Sequence, residues 1–225
     1  MTVQQFLIPD IEPLAPTDTV GHAIYRFADL DVAHLPVVDA EGKLVALVSE
    51  AEVLELPDAE ATLGTISGLG AISVGPEVHV FEAATLMAAH GLSVLPVADA
   101  DADYLGLIGR TSVFEQFATD LSTSRPGTIL VLEVMPRDYS LSRLSHLIEQ
   151  SGGKVLSATA RTPHTAGGDP SPLLRVTLKL NVTDTARIRH VLEHEGYHID
   201  AVYNEDETED DISLRIQEFM RYLEV

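Results

Sequence analysis

The sequence predicts a mixed α/β (α+β) protein: a duplicated α/β unit followed by a smaller α/β unit of a different kind. Two observations predict this organisation. A block near residues 14–56 recurs at 74–118 with a constant offset of 60 residues, and residues 129–203 follow the order strand, helix, strand, strand, helix, strand. Hydrophobic residues make up 45% of the 225-residue chain, which is enough to form real cores.

The duplication shows as matched residues in a single register. The string LPVVDA at 35–40 returns as LPVADA at 95–100. At the same offset, identical residues occur at Pro16 and Pro76, Val20 and Val80, Ala23 and Ala83, Ala28 and Ala88, Leu47 and Leu107, and Val53 and Val113. A register without gaps over this length indicates two copies of one structural unit.

Each copy predicts a helix, two strands and a second helix. In the first copy, TDT at 17–19 is a helix-capping signal, and apolar residues follow it at helical spacing. A strand at 34–38, a turn at 39–42 and a strand at 44–48 come next, and a second helix starts near residue 49. The second copy repeats the pattern, with strands at 94–98 and 104–108 and a helix starting near residue 110.

The strings HLPVVDAEGKLVALVSEAEV and VLPVADADADYLGLIGRTSV resemble the CBS domain. The resemblance covers about residues 1–118, and two such copies form the tandem pair called a Bateman module. It implies CBS domains at residues 1–60 and 61–119, paired around a cleft that commonly binds adenosine compounds such as AMP, ATP or S-adenosylmethionine.

A polar stretch at 120–128 predicts a linker to the last unit. The strands at 129–134, 154–160, 174–180 and 197–203 and the two helices between them have the order of a ferredoxin-like βαββαβ fold. Asn181 to Asp184 are expected to cap the second of these helices. The unit at 129–204 resembles an ACT-like domain, a small regulatory fold that often binds amino acids. DYSLSRLSHLIEQSGGKVLS and FMRYLEV resemble bacterial CBS-domain proteins of the acetoin-utilisation type.

The last segment, residues 205–225, combines an acidic run with a predicted amphipathic helix. The run NEDETEDD indicates a solvated linker. The helix after it would bury one apolar face, formed by Ile212, Ile216, Phe219 and Leu223. We expect that face to dock on its own chain or on a partner subunit.

Charge excludes several classes of partner. Lys and Arg number 14 against 35 Asp and Glu, so the net charge is −21. Such a chain is repelled by nucleic acid and by anionic membranes, so neither is expected as a partner. The acid excess with few lysines indicates a halophilic protein, and an acidic mesophilic protein is the alternative. No cysteine is present, no run is long enough to span a membrane, and the N-terminus lacks a secretory pattern, so we expect a cytoplasmic protein.

The CBS resemblance implies the residues of an adenosine site. In the family's Ser/Thr-x-x-Asp motif the acid accepts hydrogen bonds from both ribose hydroxyls, which suits a group that only accepts. Here the motif is Ser49 to Glu52, with Glu in place of Asp, and its counterpart, Gly109 to Ser112, has lost the acid. The implied ligand-binding residues are Ser49, Glu52, Thr17, Asp18, His34, Arg110 and Ser112. The alternative is that the motif residues only cap helices in degenerate copies.

The ACT resemblance implies a second site at the turn after the unit's first strand. The turn contains Arg137, Asp138, Tyr139 and Ser140. Asp138 suits an amino group and Arg137 a carboxylate, although Asp138 and Ser140 serve equally well as helix caps. His190 and His194 have metal-ligand spacing, but Glu193 and Glu195 beside them favour exposed, charge-paired histidines, so no metal site is predicted.

These observations favour a regulatory binding protein, expected to be a homodimer, over an enzyme. No catalytic constellation and no cofactor are predicted, and AMP or S-adenosylmethionine is the expected regulatory ligand. The alternatives are a ligand-free dimeric scaffold and amino-acid sensing through the ACT-like unit.

Overall fold

The computed structural model describes residues 1–8, 11–65, 70–163 and 171–204. The chain divides into two compact units, the first ending at Gln116 and the second beginning at Phe117. The acidic run and the helix predicted for residues 205–225 lie outside the described residues.

Both copies of the repeat have the predicted order of elements. The first copy consists of α1 (Val20–Leu30), β1 (His34–Val38), β2 (Leu44–Ser49) and α2 (Glu50–Leu54). The second consists of α3 (Val80–His90), β3 (Val94–Ala98), β4 (Tyr104–Gly109) and α4 (Arg110–Asp120). The prediction of helix, strand, strand, helix is therefore confirmed for both copies.

The two antiparallel hairpins share one register. His34 pairs with Ser49 in the first copy, and Val94 pairs with Gly109 in the second, which is the same pair displaced by 60 residues. Each hairpin has an irregularity at its fourth residue, between Val37 and Val38 and between Val97 and Ala98. The shared irregularity indicates that the duplication preserves the local twist as well as the order of elements.

Each copy is completed by a segment that belongs, in the sequence, to the other. Residues 1–8 pair with the second copy, where the Ile8 amide donates to the Leu107 carbonyl over 2.8 Å. The segment 59–70 pairs with the first copy, where the Leu47 amide donates to the Gly70 carbonyl over 3.1 Å. Val80 N bonds Met1 O just as Val20 N bonds Ala61 O, so the two exchanges are equivalent at the offset of 60.

The copies also meet at the turns of their hairpins. The Leu44 amide donates to Ala102 O over 2.9 Å, and the Tyr104 amide donates to Gly42 O over 3.0 Å. The Lys43 ammonium lies 2.8 Å from an Asp103 carboxylate oxygen at the centre of this contact. Because Lys43 and Asp103 are equivalent positions, the ion pair lies where the local two-fold relation between the copies places each residue against its counterpart.

The second unit is a four-stranded antiparallel sheet with two helices. Its elements are β5 (Thr128–Val134), α5 (Leu141–Gln150), β6 (Val155–Arg161), β7 (Leu174–Leu180), α6 (Ala186–His194) and β8 (His198–Asn204). The strand order β6-β7-β5-β8 confirms the ferredoxin-like fold. Alternate residues of β5 and β7, such as Leu130 and Leu178, join Leu144 and Leu192 of the helices in one buried core.

The start of α6 differs from the prediction. Its N-cap is Thr185, which makes no capping hydrogen bond through its side chain. Asp184 Oδ1 instead accepts a hydrogen bond from the Ala186 amide over 3.1 Å. The polar run at 181–184 therefore precedes the helix, and only its last residue contributes to the helix start.

Candidate functional site

The motif from Ser49 to Glu52 forms a complete capping box at the start of α2. The Glu52 amide donates to Ser49 Oγ over 3.2 Å, while the amide and hydroxyl of Ser49 donate to Glu52 Oε2 over 2.8 and 2.7 Å. This geometry satisfies the start of a short helix. All three bonds leave Glu52 Oε1 out, so one carboxylate oxygen is still able to accept hydrogen bonds from a ligand.

His34 lies where the first strands of the two copies begin. Its Nδ1 accepts a hydrogen bond from the Ser93 amide over 3.3 Å, and Ser93 Oγ accepts one from the Ala33 amide over 3.0 Å. Because Nδ1 is the acceptor, the neutral ring carries its proton on Nε2. His34 is 9% exposed, so it joins the two copies through a buried contact.

The electrostatic surroundings of His34 include a predicted site residue from each copy. Burial lowers the pKa of His34 below 6.5, the Glu52 carboxylate opposes this shift, and the Arg110 guanidinium adds to it. The ring therefore experiences Glu52 and Arg110 together. Three of the predicted residues, from both copies, converge around the start of β1.

The stability of the first unit is expected to depend on the protonation of His34. Since the folded-state pKa lies below the unfolded value of 6.5, the unfolded chain binds a proton more readily than the folded chain. The His34 contribution is fully present above pH 6.5 and is lost as the pH falls below 6.5 towards the folded-state pKa. Urea unfolding should show the wild type losing more stability than His34→Gln from about pH 8 to about pH 5. Equal losses in both proteins would contradict the assignment.

The residues before α1 have local structural partners. Asp18 Oδ2 accepts a hydrogen bond from the Ala15 amide over 2.8 Å, and Thr17 is exposed. Thr19 caps α1 by accepting from the His22 amide over 3.2 Å, as the capping signal predicted. The place of Thr17 and Asp18 in a ligand site stays a prediction.

The counterpart motif in the second copy lacks the carboxylate. Arg110 starts α4, and its amide donates to the Ser93 carbonyl over 2.9 Å, as Glu50 does to Ala33 in the first copy over 3.0 Å. A β-carbon built on Gly109 would lie 3.6 Å from Ile8 Cδ1 and 3.9 Å from Ser112 Oγ. The N-terminal segment thus lies against this motif, where Ser112 and Arg110 supply the polar groups.

A cavity of about 660 Å³ lies at the predicted turn of the ACT-like unit. Arg137, Asp138 and Ser140 line it, so the structure places three predicted turn residues on one cavity. Tyr139 instead packs against the core. Ser140 Oγ also caps α5 by accepting from the Arg143 amide over 3.3 Å, which combines the two roles that the sequence left open.

Further residues of this cavity were missed by sequence reasoning. They come from the end of β5, from α5, and from the approach to β8, and they are Glu133, Arg143, Glu195, Tyr197 and His198. Because β8 runs antiparallel to β5, its start lies beside the turn that follows β5. The predicted βαββαβ order contained this signal, because it places the residues after α6 at the same end of the sheet.

Tyr197 is the most distinctive group in the cavity wall. The residue is 7% exposed, and among the described residues its hydroxyl has no hydrogen-bond partner. Arg143 lies near it, with the guanidinium carbon 5.9 Å from the ring centroid, and pairs with Glu195 over 2.6 Å. A buried hydroxyl without a partner carries a desolvation cost that a polar ligand would relieve.

Two negative findings complete the description. Across the described ranges, no group of three or more His, Asp or Glu side chains is arranged to hold a metal ion. In the same part of the chain, no helix is both long and apolar enough to cross a membrane.

Comparison with known proteins identifies the duplicated unit. Residues 3–58 and 69–119 match the CBS domain model. An inosine-5'-monophosphate dehydrogenase of Methanocaldococcus jannaschii is 27% identical over 147 residues, which are 64% of this chain and 29% of the dehydrogenase. The chain therefore spans less than a third of the length of this curated relative.

Solved structures resemble the same part of the chain. A CBS domain pair/ACT domain protein of Thermotoga maritima has a TM-score of 0.50 and 22% identity, over 54% of this chain and 99% of that one. A Vibrio cholerae protein assigned to acetoin utilisation has a TM-score of 0.47 and 28% identity, over 55% and 93%. The matched residues, the repeated hairpins and the fold of the second unit together show that this chain carries a tandem pair of CBS domains followed by an ACT-like domain.

Proposed function

We propose that this chain is a non-catalytic regulatory protein that binds an adenosine-type ligand between its two CBS domains. The observation that carries the proposal is the convergence of Glu52, His34 and Arg110 around the start of β1. The available Glu52 oxygen would accept from the ribose hydroxyls, and Arg110 would pair with a phosphate. The imidazole N–H of His34 adds a donor whose charge depends on pH.

The charge of the module supports a ligand with few negative charges. Within residues 1–120, the basic residues are Arg26, Lys43 and Arg110, and the net charge is −16. Each additional phosphate increases the repulsion between the ligand and this surface. AMP or S-adenosylmethionine is therefore preferred to ATP.

Isothermal titration with AMP, S-adenosylmethionine and ATP at low and high salt tests the proposal. We expect AMP or S-adenosylmethionine to bind, and ATP to bind more weakly, with the difference narrowing as salt screens the repulsion. Micromolar ATP binding without AMP binding would contradict the preference. Flat titrations and unchanged melting temperatures with all three compounds would favour the ligand-free scaffold.

Exposed apolar side chains support a homodimer in either case. Leu54 on α2 and Phe114 on α4 occupy equivalent positions of the two copies and are 58% and 70% exposed. Large apolar groups exposed at matched positions are typical of a surface that a partner covers.

A second candidate function, amino-acid sensing, is favoured by the cavity of the ACT-like domain. The cavity wall carries both charges that a zwitterion needs, with Arg137 and Arg143 as cations and Asp138 and Glu195 as anions. The Tyr197 hydroxyl adds a hydrogen-bonding group already removed from water. Because charge-assisted hydrogen bonds in such a site are strong, this arrangement suits a free amino acid.

A Tyr197→Phe variant separates this role from a purely structural one. Without ligand, removal of the unpaired hydroxyl is expected to leave stability unchanged or to raise it by about 1 kcal/mol. Binding of the amino acid that shifts the wild-type melting temperature should weaken by about tenfold. Tyr203→Phe, at a 60% exposed tyrosine, is the matched control and should change neither quantity. Loss of stability in Tyr197→Phe, with affinity unchanged, would contradict the assignment.

A further inference from the structure

One face of the ACT-like sheet bears no helix of the βαββαβ unit. Side chains alternate between the two faces of a sheet, and Leu130, Leu132 and Leu178 point towards α5 and α6. Their neighbours Ile129 and Thr177 therefore lie on the opposite face, together with Lys179. A groove of about 220 Å³ occupies this face, lined by Leu121, Thr123, Ile129, Ser157, Thr159, Thr177 and Lys179.

The groove side of the sheet carries cationic residues. Ser157 pairs in register with Lys179, and Arg161 pairs with Arg175, so both pairs project from the same face. Lys179 is 5% exposed, which places its ammonium group inside the groove wall. Residues 121–204 have a net charge of +1, whereas residues 205–225 have a net charge of −6. The sheet and the last segment of the chain are therefore complementary in charge.

The last described residues place the start of that segment beside the groove. Tyr203 pairs in register with Ile129, which lines the groove, and its side chain is 60% exposed. The chain leaves β8 at Asn204, next to this pair. Residues 205–211 can span up to about 23 Å when extended, while the centre of the groove is two strands, or about 10 Å, away. The segment is thus long enough to return across the face.

We propose that residues 205–225 of the same chain cover this face. The acidic run lies towards the cationic residues of β6 and β7, and the apolar stripe of Ile212, Ile216, Phe219 and Leu223 packs on Ile129, Leu121 and Tyr203. A helix of 12 residues is about 18 Å long, which matches the width of a four-stranded sheet. This interaction surface is independent of either ligand proposed above.

The lack of tryptophan and cysteine in the chain allows a direct test. In full-length Tyr203→Trp, fluorescence emission should lie at shorter wavelength than in the same variant carrying Ile216→Asp and Phe219→Asp. Tyr25→Trp, at a position in the first unit exposed to 63%, is the matched control and should not respond to these substitutions. Identical emission of Tyr203→Trp with and without the Asp substitutions would overturn the proposal.

Crosslinking identifies the chain that supplies the segment. Thr177→Cys combined with Phe219→Cys should react with a short bis-maleimide to give an intramolecular product that migrates as a monomer. Arg189→Cys on the exposed side of α6, combined with Phe219→Cys, should not. A crosslinked dimer from the Thr177 pair would assign the segment to a second copy, and equal yields from both pairs would show no preference for the groove. Either result would overturn the proposal.

Discussion

A Gly127→Ala variant is expected to lose about 3 kcal/mol or more of the stability of the ACT-like domain. Gly127 has a φ of +151°, and a β-carbon there would clash with the Leu180 carbonyl oxygen. That carbonyl belongs to the residue that pairs with Thr128 at the start of β5, so the sheet cannot retreat without losing register. Amide exchange in β5 and β7 should accelerate about a hundredfold, as the loss of stability requires.

Gly152→Ala is the matched control. Gly152 also has a positive φ, of +97°, but a β-carbon there would meet no atom within 4 Å. We expect a loss of about 1 kcal/mol from backbone strain alone. The difference between the two variants therefore measures the close approach at Gly127, and similar losses would contradict the steric explanation.

A Glu52→Ala variant is expected to lose AMP affinity by a factor of about 10 to 100, because the hydrogen bonds that a carboxylate makes are worth about 1.5–3 kcal/mol. The same change removes the capping box of α2 and costs about 1 kcal/mol of stability. Titration calorimetry measures the affinity, and urea unfolding in the absence of ligand measures the stability.

Two further variants distinguish these effects. Glu50→Ala removes the same charge from the first turn of α2 without removing the capping box, so AMP affinity should stay within about threefold of the wild type. Glu52→Gln keeps the side-chain length but loses the charge, and an intermediate affinity is expected. Wild-type affinity in Glu52→Ala would place the ligand elsewhere.

Local pattern was sufficient to predict the elements of the fold. The strand predicted at 34–38 is β1, and the strand at 174–180 is β7, each with its predicted ends. Short apolar runs bounded by turn residues predict such strands because burial of both strand faces demands them. The offset of 60 residues then predicted the second copy from the first.

Contacts distant in sequence were harder to predict. Nothing in the local pattern around His34 indicates that Ser93 supplies its hydrogen-bond partner, because Ser93 aligns with Ala33 and so breaks the repeat. Tyr197 was predicted as the first residue of a strand, whereas its importance comes from the cavity behind its hydroxyl. Such roles depend on three-dimensional neighbours, which residue spacing alone does not specify.

The reciprocal exchange of residues 1–8 and 59–70 has a consequence for how this module can be divided. A gene fragment cut at the midpoint of the repeat would deprive each half of the chain segment that closes its open edge. Ile8 would be separated from Leu107, and Gly70 from Leu47. The duplicated sequence therefore encodes one indivisible folding body, in which neither half is a self-sufficient building block.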